Sequence, residues 1–240
     1  MPNPSAAMLV IGDEILSGRT RDANMHYLAG ELTKMGIDLK EVRVVSDDAP
    51  AIIAATKQLS EAFDHVFTSG GIGPTHDDIT ADCIAAAFDR PIDVRADARK
   101  LLADMYAEIG RELNEARLRM ARIPDGAILI DNPVSTAPGF TIENVHVMAG
   151  VPAVFQAMVA TVLPQLTGGK PLLSQSLRLM QGEGDIATPL AQLAKANPDL
   201  SIGSYPFQKD GVFGANIVIR GTDGAMVDAA ILSLRKMFPQ

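Results

Sequence analysis

Thr68-Ser69-Gly70-Gly71-Ile72-Gly73-Pro74-Thr75-His76-Asp77-Asp78-Ile79-Thr80 decides how this chain is read. Val66-Phe67 leads in after Asp64-His65, so a short buried strand precedes the stretch. Three glycines and a proline then impose a tight turn with little side-chain bulk. Behind it, Ile79, Cys83, Ile84, Ala87 and Phe88 recur near helical spacing, which predicts a helix opening near Asp77. Strand, glycine turn and helix start present free N–H groups and a helix dipole to an anion. Asp77 and Asp78 would repel a phosphate unless a divalent cation stood between. The stretch therefore predicts a phosphate-bearing ligand held through a metal. Taken singly, Gly70, Gly73 or Asp77 reads better as turn chemistry or dipole compensation.

The chain upstream has the same grammar. Ala6 to Ile11 is an unbroken apolar run, read as a central parallel strand. Gly12-Asp13-Glu14-Ile15-Leu16-Ser17-Gly18 follows, where open α/β sheets bind ligands. For Asp13 and Glu14 alone, a solvated loop competes evenly. Met25, Leu28, Ala29, Leu32 and Met35 mark an amphipathic helix closed by Gly36, with Asp22 or Asn24 at its start. Ile37 to Val45 is a second strand, ending at Ser46-Asp47-Asp48. Asp47 is either a ligand-side carboxylate or the N-cap of a helix from Pro50 to Ala62.

Downstream, Ala98, Leu101, Leu102, Met105 and Ile109 mark another helix. The charged run Arg111 to Arg122 reads as a solvated face. Ala127 to Ile130 is a short strand, followed by the stiff loop Asp131-Asn132-Pro133-Val134-Ser135-Thr136-Ala137-Pro138-Gly139-Phe140. Val145 to Met148 is the next strand, ending at Ala149-Gly150-Val151-Pro152, and a helix from about Ala153 to Leu166 follows. Gly168 to Pro171 reads as a linker. Beyond it the order is β-α-β-β-α, with Ala215, Ile217 and Ile219 alternating, which predicts a small α+β domain over residues 172–240.

The 240 residues carry a net charge of -8 and are 47% hydrophobic, enough for one sizeable core or a domain plus a small second one. The acidic balance argues against nucleic acid as a partner and suits a cytoplasmic protein. Trp is absent and aromatics are 5%, so stacking platforms are not expected. The single cysteine, Cys83, sits on an apolar helix face and is expected to be buried and inert. No basic leader, signal core or membrane span is readable.

These motifs, in this order, resemble the molybdopterin-binding (MogA/MoaB/MoeA-like) superfamily. The Gly-Pro-Thr-x-Asp-Asp-Ile-Thr form at Gly73–Thr80 looks most like the CinA branch and the related domain of eukaryotic FAD synthases. The departures are Ser135-Thr136 for Gly-Thr and Ala149 for proline. The resemblance implies a three-layer, mostly parallel α/β domain over residues 1–167, a linker at 168–171, and the KH-like domain of CinA proteins, whose Ile202-Gly203-Ser204-Tyr205-Pro206 string is present. The tail holds as many acidic as basic residues, so RNA binding is not inferred. The deamidase domain of full-length CinA proteins has no counterpart here, and that activity is not carried over.

The resemblance also implies a ligand site. Its first loop would contribute Gly12, Asp13, Ser17 and Gly18, with Asn24 beyond. The central loop would contribute Ser69, Gly70, Gly71, Gly73, Pro74, Thr75 and Thr80. Asn132, Pro133, Ser135, Thr136, Ala137, Pro138 and Gly139 would line the far side with Gly150 and Pro152. Arg117 or Arg119 could meet phosphate. Asp78, with Asp13 or Asp47, would hold magnesium, manganese or cobalt, a monovalent cation being a further candidate. Glu14 or Asp77 would be the general base. The implied reaction is hydrolysis of the pyrophosphate bond of a dinucleotide or ADP-ribose. The competing readings are molybdopterin binding and adenylylation, and a nucleotide- or pterin-binding module without turnover. Relatives self-associate, so a homo-oligomer is expected.

Overall fold

The computed structural model describes residues 2–209 and 211–239. The chain divides into two compact units, the first ending at Gly169 and the second starting at Lys170. Among the described residues no helix is long and apolar enough to cross a membrane.

The first unit runs β1 (Ser5–Ile11), the single turn α1 (Asp13–Leu16), α2 (Asn24–Met35), β2 (Asp38–Val45), α3 (Ala49–Ala62), β3 (His65–Ser69) and α4 (Thr80–Ala87). It continues with β4 (Ile92–Val94), α5 (Ala96–Glu108), α6 (Glu115–Leu118), β5 (Arg122–Pro124), β6 (Ile128–Ile130), β7 (Gly139–Ile142), β8 (Val145–Met148) and α7 (Pro152–Val162). Six strands form one sheet in the order β2-β1-β3-β8-β7-β6. The pairs from β2 to β8 are parallel, and β7 and β6 add antiparallel edges.

β1 does not alternate because helices cover both its faces. Ala7, Leu9 and Ile11 face Ile52, Leu59, Ile84 and Leu102 from α3, α4 and α5. Ala6, Met8 and Val10 face Leu28, Leu32, Phe155 and Val159 from α2 and α7. This is the mostly parallel three-layer α/β architecture expected above. Gly36 closes α2 in the left-handed conformation at φ 68. Asp22 Oδ1 accepts from the Met25 amide at 2.8 Å, so Asp22 is the side chain that binds the start of α2. Cys83 is buried, and burial pushes its thiol up to about 11, which leaves it unreactive.

Two local expectations differ. The helix after the central glycines opens at Thr80, not near Asp77. The Asp78 carboxylate bends back to Thr75, so Asp77 and Asp78 lie in a turn ahead of the helix. The loop from Asn132 ends in a strand: Gly139–Ile142 pairs with both β6 and β8. The division between the units falls within the linker at 168–171, and its glycine pair packs on the first unit. The Gly169 amide donates to Met35 O at 3.0 Å, and a Cβ on Gly168 would stand 2.3 Å from the same carbonyl.

The second unit runs β9 (Leu173–Leu179), α8 (Glu183–Ala196), β10 (Ser201–Lys209), β11 (Val212–Gly221) and α9 (Gly224–Met237). Its antiparallel sheet has the order β10-β11-β9. Ala215, Ile217 and Ile219 are fully buried against Ile186, Leu193, Val227 and Leu234 of the two helices.

Candidate functional site

The carboxyl ends of β1, β2, β3 and β8 converge on a cavity of about 530 Å³. This is the edge where open α/β sheets place ligands. Its floor is backbone. The loops after β3 and β8 touch, with Gly70 N donating to Met148 O at 3.2 Å. A Cβ on Gly150 would stand 3.2 Å from Gly70 Cα. Gly71 adopts φ +70, and a Cβ there would fall 2.0 Å from Thr80 Oγ1. Gly71 needs glycine for its backbone conformation and for this space, while at Gly150 an added Cβ would press on Gly70 by a few tenths of an ångström.

Four carboxylates line the cavity: Glu14, Asp47, Asp77 and Asp78. Asp78 Oδ2 accepts from the Thr75 amide at 2.8 Å and its hydroxyl at 2.6 Å, which closes the turn. Gly73 makes room for it, since a Cβ there would lie 2.6 Å from Asp78 Oδ2. Glu14 folds back over Gly12 in the same way, at 2.5 Å from where a Cβ would be. Asp47 Oδ2 accepts from the Asp13 amide at 2.9 Å.

The capping rivalry at β2 resolves between neighbours. Asp48, not Asp47, caps α3, its carboxylate accepting from the Ala51 amide at 3.1 Å. Asp47 is left to the cavity. Partial burial pushes its carboxyl above the usual range, opposed by the Asp13 amide and reinforced by Asp13, Glu14 and Asp77. Asp77 is pulled the other way, below the usual carboxylate range, by the polar surroundings that the Thr75 side chain and its own amide supply. Since the folded protein raises Asp47, its ionised form opposes folding, and that cost is present once the pH exceeds its folded pKa. Asp47→Asn keeps the acceptor for Asp13 and is expected to raise Tm at pH 7.5. The gain should vanish below the ordinary carboxylate range. Asp48→Ala is expected to cost about 1 kcal/mol in urea unfolding.

The far wall is Asn132, Ser135, Ala137, Gly150 and Pro152, with apolar Ile72, Met120, Val151 and Val154. Asn132 is 2% exposed and shapes its own loop: its amide group donates to Ser135 Oγ and Ala137 O, and its Oδ1 accepts from the Val134 and Ser135 amides. Asn24 and Ser69 line a small adjoining cleft, where Asn24 Nδ2 bridges Ser69 Oγ at 2.8 Å and Gly150 O at 2.7 Å. Thr20, Met120 and Val154 were not named from sequence, since each faces the site only through the chain's path in space.

Other expected residues stand outside this cavity. Asp13 is exposed and contributes its amide, not its carboxylate. Ser17 and Gly18 are exposed beyond the rim, as are Pro74 and Thr75, which shape the turn. Thr80 is buried beneath Gly71. Pro133 and Thr136 are loop residues, Thr136 at φ 61, and Pro138 faces a separate cleft. Gly139 is a β7 position where a Cβ would meet Val147 O at 2.3 Å. Arg117 is drawn away, stacked 4.5 Å from the Tyr106 ring centroid. Arg119 Nη2 donates to the Asp78 carbonyl at 3.0 Å, behind the acidic turn. Asp78, Asp13 and Asp47 do not converge: among the described residues no three His, Cys, Asp or Glu side chains form a group that could hold a metal ion.

Comparison with known proteins shows the family. Residues 7–168 match the family described as "Probable molybdopterin binding domain", and residues 171–240 match "FAD synthase, middle domain". The chain belongs to the molybdopterin-binding domain family, in its CinA-like branch. It is similar to the CinA protein of Thermoplasma acidophilum, whose crystal structure superposes with a TM-score of 0.62 at 33% identity over 67% of this chain and 98% of that one. It is 33% identical to a "Probable FAD synthase" of Caenorhabditis elegans over 97% of this chain, which spans 50% of that protein. A CinA-like protein of Citrifermentans bemidjiense is 39% identical over 68% of this chain and 40% of its own length.

Proposed function

We propose that the first unit hydrolyses the diphosphate bond of a nucleotide such as ADP-ribose or FAD, with a divalent cation. The observation that carries this reading is one cavity walled by four carboxylates and the glycine turn. The donors suit magnesium, manganese or cobalt. Magnesium is commonly held by one or two carboxylates completed by substrate phosphates, so a preformed cage of three side chains is not required. Asp78 or Asp47, each on the cavity wall, would be the protein ligand to such an ion, with substrate phosphates and water completing its shell. The ion would neutralise the diphosphate and lower the pKa of an attacking water. The amides of Gly71 and Gly73, in the turn that lines the cavity, would meet the phosphate oxygens. Asp77 or Glu14, carboxylates on the cavity wall, would accept the water's proton. Ile72, Met120, Val151 and Val154 would cover the base or pterin ring.

A second reading, molybdopterin binding, is favoured by the family description of residues 7–168. One assay separates them. Purified protein is offered ADP-ribose, FAD and NAD with each metal, and AMP is followed by chromatography. AMP is expected only with metal, and Asp78→Ala is expected to cut turnover about 100-fold or more with the fold intact. Full activity in Asp78→Ala would sink the metal role. No AMP from any substrate, with saturable molybdopterin binding, would move the function to the pterin.

A further inference from the structure

A second cavity, of about 290 Å³, lies at the amino ends of β3 and β8, the sheet edge opposite the candidate site. Its walls are apolar at Ile130, Val162 and Leu166, and its mouth carries Ile128, 69% exposed on the edge strand β6. Most polar groups around it are already engaged. Asp64 Oδ2 accepts from the Ser5 amide and hydroxyl at 2.7 and 2.6 Å. Asn144 donates to Ser60 O and Phe63 O and accepts from Ser60 Oγ. Glu143 pairs with Arg90, and Gln165 donates to Thr161 O.

His146 is the exception. It is 4% exposed and lies 4.9 Å, ring to ring, from Phe67. Its Nδ1 stands 3.0 Å from Thr141 Oγ1, while its Nε2 has no partner among the described residues. A buried nitrogen left unpaired costs free energy that a ligand can recover. Nε2 is covered in the unliganded protein, and the neighbouring ring, 5.7 Å away, is half-buried His65. No hydrogen bond among the described residues fixes that ring, so it can turn aside.

We propose that this cavity is a ligand site for a small, uncharged, largely apolar molecule carrying one hydroxyl group, which pairs with His146 Nε2. Asp64 and Glu143 at the rim disfavour an anion, and burial keeps both imidazoles neutral at pH 7. The Thr141 contact is compatible with either tautomer, so Nε2 is a donor or an acceptor. A hydroxyl satisfies both cases.

The test titrates phenol and toluene separately into isotope-labelled full-length protein and follows the histidine ring resonances. Phenol is expected to shift His146 and His65 saturably, with toluene about tenfold weaker because it lacks the hydrogen bond. His146→Phe should bind the two equally. The proposal falls if neither probe gives a saturable shift, if toluene binds as well as phenol, or if the preference survives in a folded His146→Phe. Should that variant not fold, Ile128→Asp places a charge at the exposed mouth and must weaken both probes severalfold. Unchanged binding there also overturns the site.

Discussion

Between pH 7 and pH 4 the first unit is expected to lose about 3 kcal/mol of stability through His146 alone, from the interval between its ordinary 6.5 and the folded value of about 4. Burial is the main cause, with a smaller repulsion from His65. The sign follows from which state binds the proton. The unfolded chain protonates this imidazole near 6.5, and the folded one only near 4. The stabilisation is therefore complete above 6.5 and drains away as the pH falls between those values. Urea midpoints measured across this window should slope steeply for the wild type and flatten in His146→Phe. An unchanged slope in that variant would assign the acid lability to other groups.

Gly70→Ala is expected to cost about 3 kcal/mol or more, or to prevent folding. Gly70 has φ +108, and a Cβ there would stand 2.3 Å from Ile11 O. The obstacle is a backbone carbonyl in the central strand β1, so no side-chain rotation relieves it. Gly18 is the control. It also has positive φ, +73, but nothing lies within 4 Å of the added atom. Gly18→Ala should cost only about 1 kcal/mol, the penalty of left-handed backbone. Thermal unfolding of both variants checks the contrast. Equal losses would mean that backbone conformation, not the approach of β1, governs both sites.

The sheet was legible because its signals are strong and local. The apolar run Ala6–Ile11 is buried on both faces, and Ala215, Ile217 and Ile219 alternate as β11 does. Gly36 marked the end of α2 by its backbone freedom. What escaped was decided by partners distant in sequence. β7 is four residues long and starts on the glycine of a Pro-Gly pair, so only its neighbours β6 and β8 make it a strand. β4 and β5 are three residues each and stabilise one another. The start of α4 hinged on Asp78 choosing Thr75, and the capping of α3 on a shift of one residue from Asp47 to Asp48. The motifs marked the loops around the cavity, but not which side chains face it. Arg119 bonds a carbonyl forty-one positions away, a contact no spacing rule encodes.

Much of the candidate cavity's wall is glycine, alanine or proline, and the space beside those glycines is taken by neighbouring backbone at Gly70 and Gly150 and by side chains at Gly12, Gly71 and Gly73. Recognition built this way is nearly silent to a conventional alanine scan, which deletes side chains that are not there. Such a scan would report Asp47, Asp77, Asp78 and Glu14 and leave the glycine-rich floor unseen. The informative perturbation is addition: one methyl group at a time at Gly12, Gly71, Gly73 and Gly150, or an amide-to-ester exchange that removes a single N–H donor. The same architecture makes the site tolerant of drift on the outer surface of its loops. Its shape is held by the chain's path between β1, β3 and β8, with Asp78 and Asn132 fixing the turns at its rim.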